Sequence, residues 1–302
     1  DIPHEFWSSE LEKDGLVSSL ARDERFFIGH FFINHTERKN TKDIQKSIRQ
    51  IFKKNKLDVL CERQEQVKSS ELGPIAISME PVFWQIAGYS TEYRLSNLER
   101  QLYHIKLELE KKFPVHVCSL SSYQANYKVR GTAAVLSNYY NDLNSEHFKS
   151  ISTVGHSRYS TNTFSVFERV QPFSVLAHNG EINTIRQLRR EAKMLGVTLP
   201  ENGSDSPDVD RTLNAFLDDF DLSLAAAMEL MFPPIIREMK KLEENILPLY
   251  RFFRQFWGPF AQGPAAIISR YRNEVVGSVD AMGLRPLWLL ESGDSYVLSS
   301  ES

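Results

Sequence analysis

The last third of the chain constrains the fold most, because helix-like stretches are followed there by short β-prone runs. The helical stretches are SPDVDRTLNAFLDDF, which Ser206 is expected to cap, DLSLAAAMELMF and EMKKLEENILPLYRFFRQF. The β-prone runs are PAAIISRY, EVVGSVD, PLWLLES and SYVLSS, separated by Gly, Asn and Asp as in an antiparallel meander. Helices joined to antiparallel strands indicate a mixed α/β architecture.

The first two thirds mix the same two patterns less regularly. After a Thr41 cap, a helix is predicted with an apolar stripe of Ile44, Ile48, Ile51 and Phe52. A longer helix is predicted over EYRLSNLERQLYHIKLELEKKF, with the stripe Leu95, Leu98, Leu102, Ile105 and Leu109. Strands are predicted for FFIGHFFIN from Phe26, VHVCSLS from Val115, ISTVGHS from Ile151 and SVLAHNG from Ser174. Because no repeat or linker divides the chain, we expect a single domain over residues 1–302.

Composition excludes several classes of function. With 41% hydrophobic residues in 302, the chain is long enough to bury a real core. Its net charge of -3 offers no basic surplus for nucleic acid or for anionic lipid. Neither a membrane-spanning apolar run nor a signal peptide is recognisable, and Cys61 and Cys118 form no disulfide or metal pattern. We therefore expect a soluble, cytoplasmic protein that acts on a small molecule.

Three polar clusters carry the candidate chemistry: HSRYSTNTF at 156–164, AHNGEINT at 177–184 and GSDS at 203–206. Arg158 is a fixed cation suited to a carboxylate, and Asp205 is an anion suited to an ammonium group. Asn179 and Gly180 supply amide donors of the kind that stabilise an oxyanion. Together these groups would orient an amino acid amide for attack at its side-chain carbonyl.

Each cluster also has a plainer interpretation when it is taken alone. Arg158 could form a structural salt bridge, and Asn179-Gly180 is a common signal for a hairpin turn. Asp205 could be loop chemistry just before a helix that Ser206 caps. Only the combination in this order favours a functional site.

The order and approximate spacing of HSRYSTNTF, AHNGEINT, GSDS, GPAAI and GLRP resemble the glutaminase domain of large-subunit glutamate synthases, a class II glutamine amidotransferase. IPHEFW and CSLSSYQANYK are similar as well, and the resemblance is clearest from Val117 to Ser302. It implies an α/β (α+β) N-terminal nucleophile hydrolase fold. In that fold two antiparallel sheets stack face to face between helical layers, giving four αββα layers.

The resemblance also implies residue roles and a reaction. Asn179 and Gly180 would form the oxyanion hole. Four residues would bind the substrate L-glutamine: Arg158, Thr161, His178 and Asp205. A cysteine at the mature N-terminus would attack the glutamine amide, with its own α-amine as the base, to give a thioester and ammonia. Water would then release glutamate, and the ammonia would reach a synthase site.

The nucleophile is not in this chain, which begins with Asp1. In the family, the segment resembling IPHEFW lies several dozen residues after the cysteine, so we expect that the N-terminal strands and nucleophile of the domain are missing here. The alternatives are that the cysteine has been lost or that Cys61 or Cys118 replaces it. An internal cysteine has no free α-amine, and both lie in apolar runs typical of buried, inert thiols.

No cofactor or metal is predicted within the chain, because it has no GxGxxG or P-loop pattern. By resemblance, FMN and an iron-sulfur cluster would belong only to a partner synthase domain or subunit that receives the ammonia. Ala281 and Met282 stand where the family usually has Arg-Asn before Gly283. The segment NTIRQLRREAKML also lacks the Gly-Asn and Trp that typically follow it in the family, and this departure favours a stand-alone or separately encoded glutaminase subunit.

The leading hypothesis is an enzyme domain that hydrolyses glutamine and supplies ammonia for glutamate synthesis. A second hypothesis changes the acceptor to phosphoribosyl pyrophosphate, because DAMGLRPLWL also resembles the tail of purine-synthesis amidophosphoribosyltransferases. A third is a catalytically dead domain that binds glutamine or acts as a scaffold, and the missing cysteine is its only support.

Overall fold

The computed structural model describes residues 1–64, 66–92, 98–157, 166–200, 203–234, 236–256, 261–280 and 282–301. It divides into two compact units, Asp1–Val170 and Gln171–Ser302. Each unit is described by itself. That residues 1–302 form one amidotransferase domain stays a prediction.

The first unit contains an antiparallel sheet of four strands in the order β2-β3-β1-β4. The strands are β1 Phe26–Ile33, β2 Leu57–Gln64, β3 Val82–Ser90 and β4 Val115–Ser121. The predictions for β1 and β4 are confirmed. Sequence patterning does not predict β2 or β3, although β3 is an inner strand that is buried almost throughout, as β1 is.

Helices cover both faces of this sheet. Phe27 and Phe31 of β1 pack into the same core cluster as the apolar stripes of α2, Thr41–Lys54, and α4, Leu98–Lys112. Alternate residues such as Phe26 face the opposite side, where α1, His4–Lys13, contributes to the core. The two predicted helices are therefore confirmed, although residues 93–97 at the start of the longer one lie outside the described part of the chain.

The predicted strand from Ile151 is wrong. Residues 151–157 have no regular secondary structure, and the Ile151 side chain is fully exposed. The backbone N–H groups of Ile151 and Ser152 donate to the Asp1 carboxylate, each at 2.9 Å, and not to a neighbouring strand. Shorter helices complete this unit: α3, Pro74–Ser78, and α5, Ala133–Tyr139.

The second unit contains a sheet of three antiparallel strands in the order β5-β6-β7 and a separate hairpin of β8 and β9. The strands are β5 Leu176–Gly180, β6 Ala265–Tyr271, β7 Glu274–Val279, β8 Trp288–Ser292 and β9 Ser295–Ser299. All four predicted C-terminal strands are confirmed. They do not form one meander, because β8 and β9 pair with each other in a separate sheet and β6 and β7 pair in the sheet of β5.

The helices of the second unit are α6 Ile185–Met194, α7 Asp205–Asp218, α8 Leu224–Met231, α9 Ile236–Met239 and α10 Leu247–Phe256. The helices predicted for α7 and α8 are confirmed. The prediction of one helix for EMKKLEENILPLYRFFRQF is wrong, because α9 ends at Met239 and α10 begins only at Leu247. Pro248 then falls in the first turn of α10, where its missing N–H costs no helical hydrogen bond.

The structure confirms a mixed α/β protein with antiparallel sheets, while the four-layer stacking stays a prediction. Among the described helices, none has the length and apolar character needed to cross a bilayer.

Both cysteines lie in the core of the first unit. Cys61 is 5% exposed and Cys118 is 2% exposed. Burial raises the pKa of each thiol to about 12, and a hydrogen bond with Asp14 adds to the effect at Cys61. A thiol with such a pKa is almost fully protonated at neutral pH, so neither cysteine is a ready nucleophile.

We expect Ile48→Ala to lower the free energy of unfolding by about 2–5 kcal/mol, because this fully buried side chain joins α2 to the sheet. Urea denaturation measures the change. Lys46→Ala is the matched control, since Lys46 is exposed on the same helix and should change stability by less than about 0.5 kcal/mol. Equal effects of the two substitutions would contradict the packing.

We also expect iodoacetamide to alkylate Cys61 and Cys118 far more slowly in the folded protein than in urea, because both thiols are buried and protonated. Peptide mass spectrometry over a time course follows each site separately. Rapid labelling of either residue in the native state would make it an accessible thiol after all.

Candidate functional site

The pairing of β5 with β6 decides which backbone groups are available to a ligand. At one end of the pair, the Arg270 N–H donates to the Val175 carbonyl at 2.8 Å. At the other end, the Glu181 N–H donates to the Pro264 carbonyl at 2.9 Å in the same register. In an antiparallel strand, the backbone N–H and C=O groups of every second residue point toward the partner strand. The backbone groups of the odd-numbered residues from 175 to 181 therefore hydrogen-bond to β6.

Asn179 therefore faces β6 with its backbone, whereas the N–H groups of His178 and Gly180 point to the side away from β6. We call this side the open edge of β5. The residue opposite Gly180 supports the assignment, because Ala265 directs both its N–H and its carbonyl to Asp280, at 3.2 and 2.8 Å. The Gly180 N–H is thus turned toward the open edge, where an acceptor can reach it.

Position 180 requires glycine. Its φ is +143°, a conformation that other residues rarely adopt, and an added Cβ would lie 1.9 Å from the Pro264 carbonyl oxygen. Asn179-Gly180 is not the two-residue hairpin turn of the plainer interpretation, because β5 ends here and pairs with the distant β6. The glycine lets the backbone pass close to Pro264 while its N–H faces outward.

Asp205 lies along the same open edge. The Ile182 N–H, one alternation beyond that of Gly180, donates to Asp205 Oδ2 at 3.3 Å. The Ser206 N–H donates to Asp205 Oδ1 at 2.8 Å. Asp205 is the first residue of α7 and Ser204 occupies the N-cap position, so the prediction that Ser206 caps this helix is wrong.

The Ser206 hydroxyl is used elsewhere, since it hydrogen-bonds His178 Nδ1 at 3.0 Å. His178 is 3% exposed, and this contact ties the GSDS segment to β5. Successive side chains of a strand point to opposite faces, so the imidazole of His178 and the side chain of Asn179 lie on different faces of β5. The role of His178 in substrate binding stays a prediction.

The side chain of Asn179 is held by the residue that follows the hairpin of β8 and β9. Its Nδ2 donates to Ser300 Oγ at 3.0 Å, across 121 positions of sequence. A carboxamide nitrogen carries two hydrogens, so the contact orients the group while a second hydrogen can serve another acceptor.

A partly buried ion pair joins α6 to the first turn of α7, which begins with Asp205. Arg189 of α6 contacts Asp208 Oδ2 at 2.7 Å and also donates to the Pro200 carbonyl at 2.9 Å. Burial raises the pKa of Asp208 although the positive charge of Arg189 opposes the shift. At Gly203 an added Cβ would lie 2.3 Å from Asp208 Oδ1, so a larger residue there would displace this ion pair.

Asp280 fixes the GLRP loop beside β6. Its carboxylate accepts backbone N–H groups at 3.0–3.2 Å from Ala265, Met282, Leu284 and Arg285. Burial alone would raise its pKa, but these hydrogen bonds outweigh burial and lower the pKa. Asp280 thereby holds the loop against the first residue of β6.

The structure brings four of the predicted site residues together in the second unit: His178, Asn179, Gly180 and Asp205. Arg158 and Thr161 lie outside the described residues. Sequence patterns miss Ser300, because its contact with Asn179 joins distant parts of the chain. The turn-forming Asp at 280, just before a glycine-containing loop, is the one signal that could have indicated a structural carboxylate.

The described residues contain no group of three or more His, Cys, Asp or Glu side chains that could hold a metal ion. The expectation of no cofactor in this chain stays a prediction. What the site does offer is backbone and carboxamide donors beside a carboxylate, a set suited to an uncharged carbonyl and a cation.

Comparison with known proteins places these features in a family. The model of class-II glutamine amidotransferases matches residues 1–302. Glutamate synthase [NADH] of Saccharomyces cerevisiae is 32% identical over 332 residues, covering 99% of this chain and 15% of that protein. The glutamate synthase [NADPH] large chain of Bacillus subtilis is 28% identical over 322 residues, covering 99% of this chain and 21% of that protein. The ferredoxin-dependent glutamate synthase of Cyanidium caldarium is 28% identical over 292 residues, covering 86% of this chain and 18% of that protein.

The similarity extends along 99% of this chain in both the yeast and the Bacillus protein. The chain spans about a fifth or less of the length of these relatives. It belongs to the class-II glutamine amidotransferases and is homologous to glutamate synthases.

Proposed function

We propose that this chain forms the glutaminase part of a glutamate-forming enzyme, hydrolysing L-glutamine to glutamate and ammonia. The observation that carries the proposal is the open edge of β5. Along this edge, the N–H of Gly180 points outward. The carboxylate of Asp205 lies next to it, because it accepts the N–H of Ile182, two residues further along the chain.

The spacing along this edge suits free glutamine. The N–H groups of Gly180 and Ile182 are separated by two residues of extended chain, roughly 7 Å. This is comparable to the reach of glutamine from its α-ammonium group to its side-chain amide. Asp205 would bind the ammonium group, and the donors at Asn179 and Gly180 would receive the amide oxygen.

The chemistry would then be acyl transfer. The sulfur of the N-terminal cysteine attacks the amide carbon, and the α-amine takes the thiol proton and passes it to the leaving nitrogen. Negative charge develops on the amide oxygen, where Asn179 Nδ2 and the Gly180 N–H stabilise it. Ammonia leaves, and water cleaves the thioester to glutamate and restores the thiol.

The remaining parts of the proposal rest on the resemblance. Arg158 would bind the α-carboxylate of glutamine, with Thr161 and His178 completing the pocket. The whole domain would adopt the four-layer N-terminal nucleophile hydrolase fold in the cytoplasm. A synthase domain or subunit carrying FMN and an iron-sulfur cluster would use the ammonia.

The relatives favour this acceptor over phosphoribosyl pyrophosphate, because the proteins named above are glutamate synthases. Both enzyme hypotheses share the first half-reaction, so the labelling experiment below tests glutaminase chemistry without assuming the acceptor. It also separates an enzyme from a catalytically dead domain.

When the complete gene product is incubated with 6-diazo-5-oxo-L-norleucine, an electrophilic glutamine analogue, we expect one covalent adduct on an N-terminal cysteine. Peptide mass spectrometry locates the adduct. Excess L-glutamine should protect the site and D-glutamine should not. An adduct on Cys61 or Cys118, or no adduct at all, would refute the proposed mechanism.

Asn179→Ala should reduce kcat for glutamine hydrolysis about a hundredfold to a thousandfold, since it removes one oxyanion donor. Ammonia release measures the rate. Asn183→Ala is the matched control, because it removes the same side-chain amide from an exposed position in the same motif. Retention of the full rate by the Asn179 variant would remove this residue from the oxyanion hole.

A further inference from the structure

The side-chain amide of Gln171 makes two hydrogen bonds to the backbone of His178, the residue before Asn179. The His178 N–H donates to Gln171 Oε1 at 2.6 Å, and Gln171 Nε2 donates to the His178 carbonyl at 2.9 Å. Both contacts lie on the open edge of β5. A single side chain thus satisfies both backbone groups of His178, as a neighbouring strand would.

We propose that Gln171 is a positioning residue for the oxyanion donors. This inference rests on the proposed glutaminase function and adds a residue to it. Gln171 does not touch the reacting amide, and its effect is transmitted through the backbone of β5.

The strand is fixed from both sides immediately before Gly180. Gln171 holds His178 at the open edge, while the backbone of Asn179 bonds to Ala266 of β6 through the register already described. Beyond Gly180, Asp205 holds the Ile182 N–H at the same edge. The Gly180 N–H therefore lies between two side-chain anchors that set its position and direction.

The side chain of Gln171 binds the backbone of His178 and leaves the Gly180 N–H available, which a further strand could not do. Another strand at this edge would continue the ladder and take the Gly180 N–H as well as the backbone of His178. The carboxamide of Gln171 satisfies one residue only, and so it leaves the next outward N–H for a ligand. The arrangement steadies the strand without occupying the proposed site.

The neutral charge of Gln171 also matters. A carboxylate at this position could accept the His178 N–H but could not donate to the carbonyl of His178. It would also bring negative charge close to the oxygen that becomes an oxyanion. The geometry therefore requires an amide with one donor and one acceptor.

The test uses Q171M in the complete gene product, because methionine preserves the length of the side chain and removes both hydrogen bonds. We expect kcat for glutamine hydrolysis to fall about tenfold to a hundredfold, since misplaced donors lose transition-state stabilisation. The KM for glutamine should stay within about twofold, because Asp205 is untouched. Q171E should reduce kcat at least as much.

Gln187→Ala serves as the matched control. Gln187 also uses its side-chain amide within the second unit, donating to Glu191 at 2.8 Å on α6, but it is not an anchor of β5. This variant should retain the kcat and KM of the unmodified enzyme.

Hydrogen exchange provides a readout that does not depend on activity. The His178 amide should exchange faster in Q171M, whereas the Asn179 amide, which faces β6, should keep its protection. NMR or peptide-resolved mass spectrometry with short fragments measures the difference. Unchanged protection at His178 would overturn the inference.

If the unsubstituted enzyme hydrolyses glutamine and Q171M has the same kcat, the role of Gln171 is refuted and the proposed function is not. Loss of the native near-UV circular dichroism in Q171M would also overturn it, because Gln171 would then hold the fold and not the donors. Failure of the unsubstituted gene product to hydrolyse glutamine would instead refute the proposed function, and the role of Gln171 with it.

Discussion

The antiparallel register of β5 on β6 is the constraint on which the rest of the candidate site depends. Backbone N–H groups point alternately to the two sides of a strand, so one register commits Asn179 to the sheet and Gly180 to the outside. A shift by one residue would turn the Gly180 N–H into the ladder and move every side chain to the other face. Asp205 is aligned on the same edge because it binds the next outward N–H, that of Ile182.

Three positions of the GSDS segment make contacts of their own. Gly203 allows close approach to Asp208, and Ser204 precedes α7 without a side-chain capping hydrogen bond. Asp205 binds along the open edge of β5, while Ser206 bonds to His178. Three independent contacts therefore fall within four consecutive residues.

The fold was predictable where a local pattern matched the burial. The apolar stripe containing Ile48 marks α2, and the continuous apolar run from Phe26 marks β1, which is buried throughout. Local pattern did not indicate β3, whose buried positions include Gln85, and it was misleading at Ile151, whose backbone binds Asp1. In those two places tertiary contacts, and not local preference, determine the conformation.

The site shows the same division. The order of the motifs predicted Asn179, Gly180 and Asp205 as site residues, and the three do lie along one edge of β5. Gln171 and Ser300 were not predictable, because no sequence period relates either residue to the strand residue that it hydrogen-bonds: His178 for Gln171 and Asn179 for Ser300. The assignments of Arg158 and Thr161 still rest on the resemblance.

The contact between Ser300 and Asn179 has a practical consequence for anyone who trims this protein for expression. Ser300 directly follows the hairpin formed by β8 and β9, which exposes apolar side chains such as Leu289 and Leu290. Removing the hairpin together with Ser300 would remove the acceptor that orients the Asn179 amide and leave that group free to rotate. A shortened product could therefore remain folded yet be silent in an assay, and its silence would say nothing about the intact molecule.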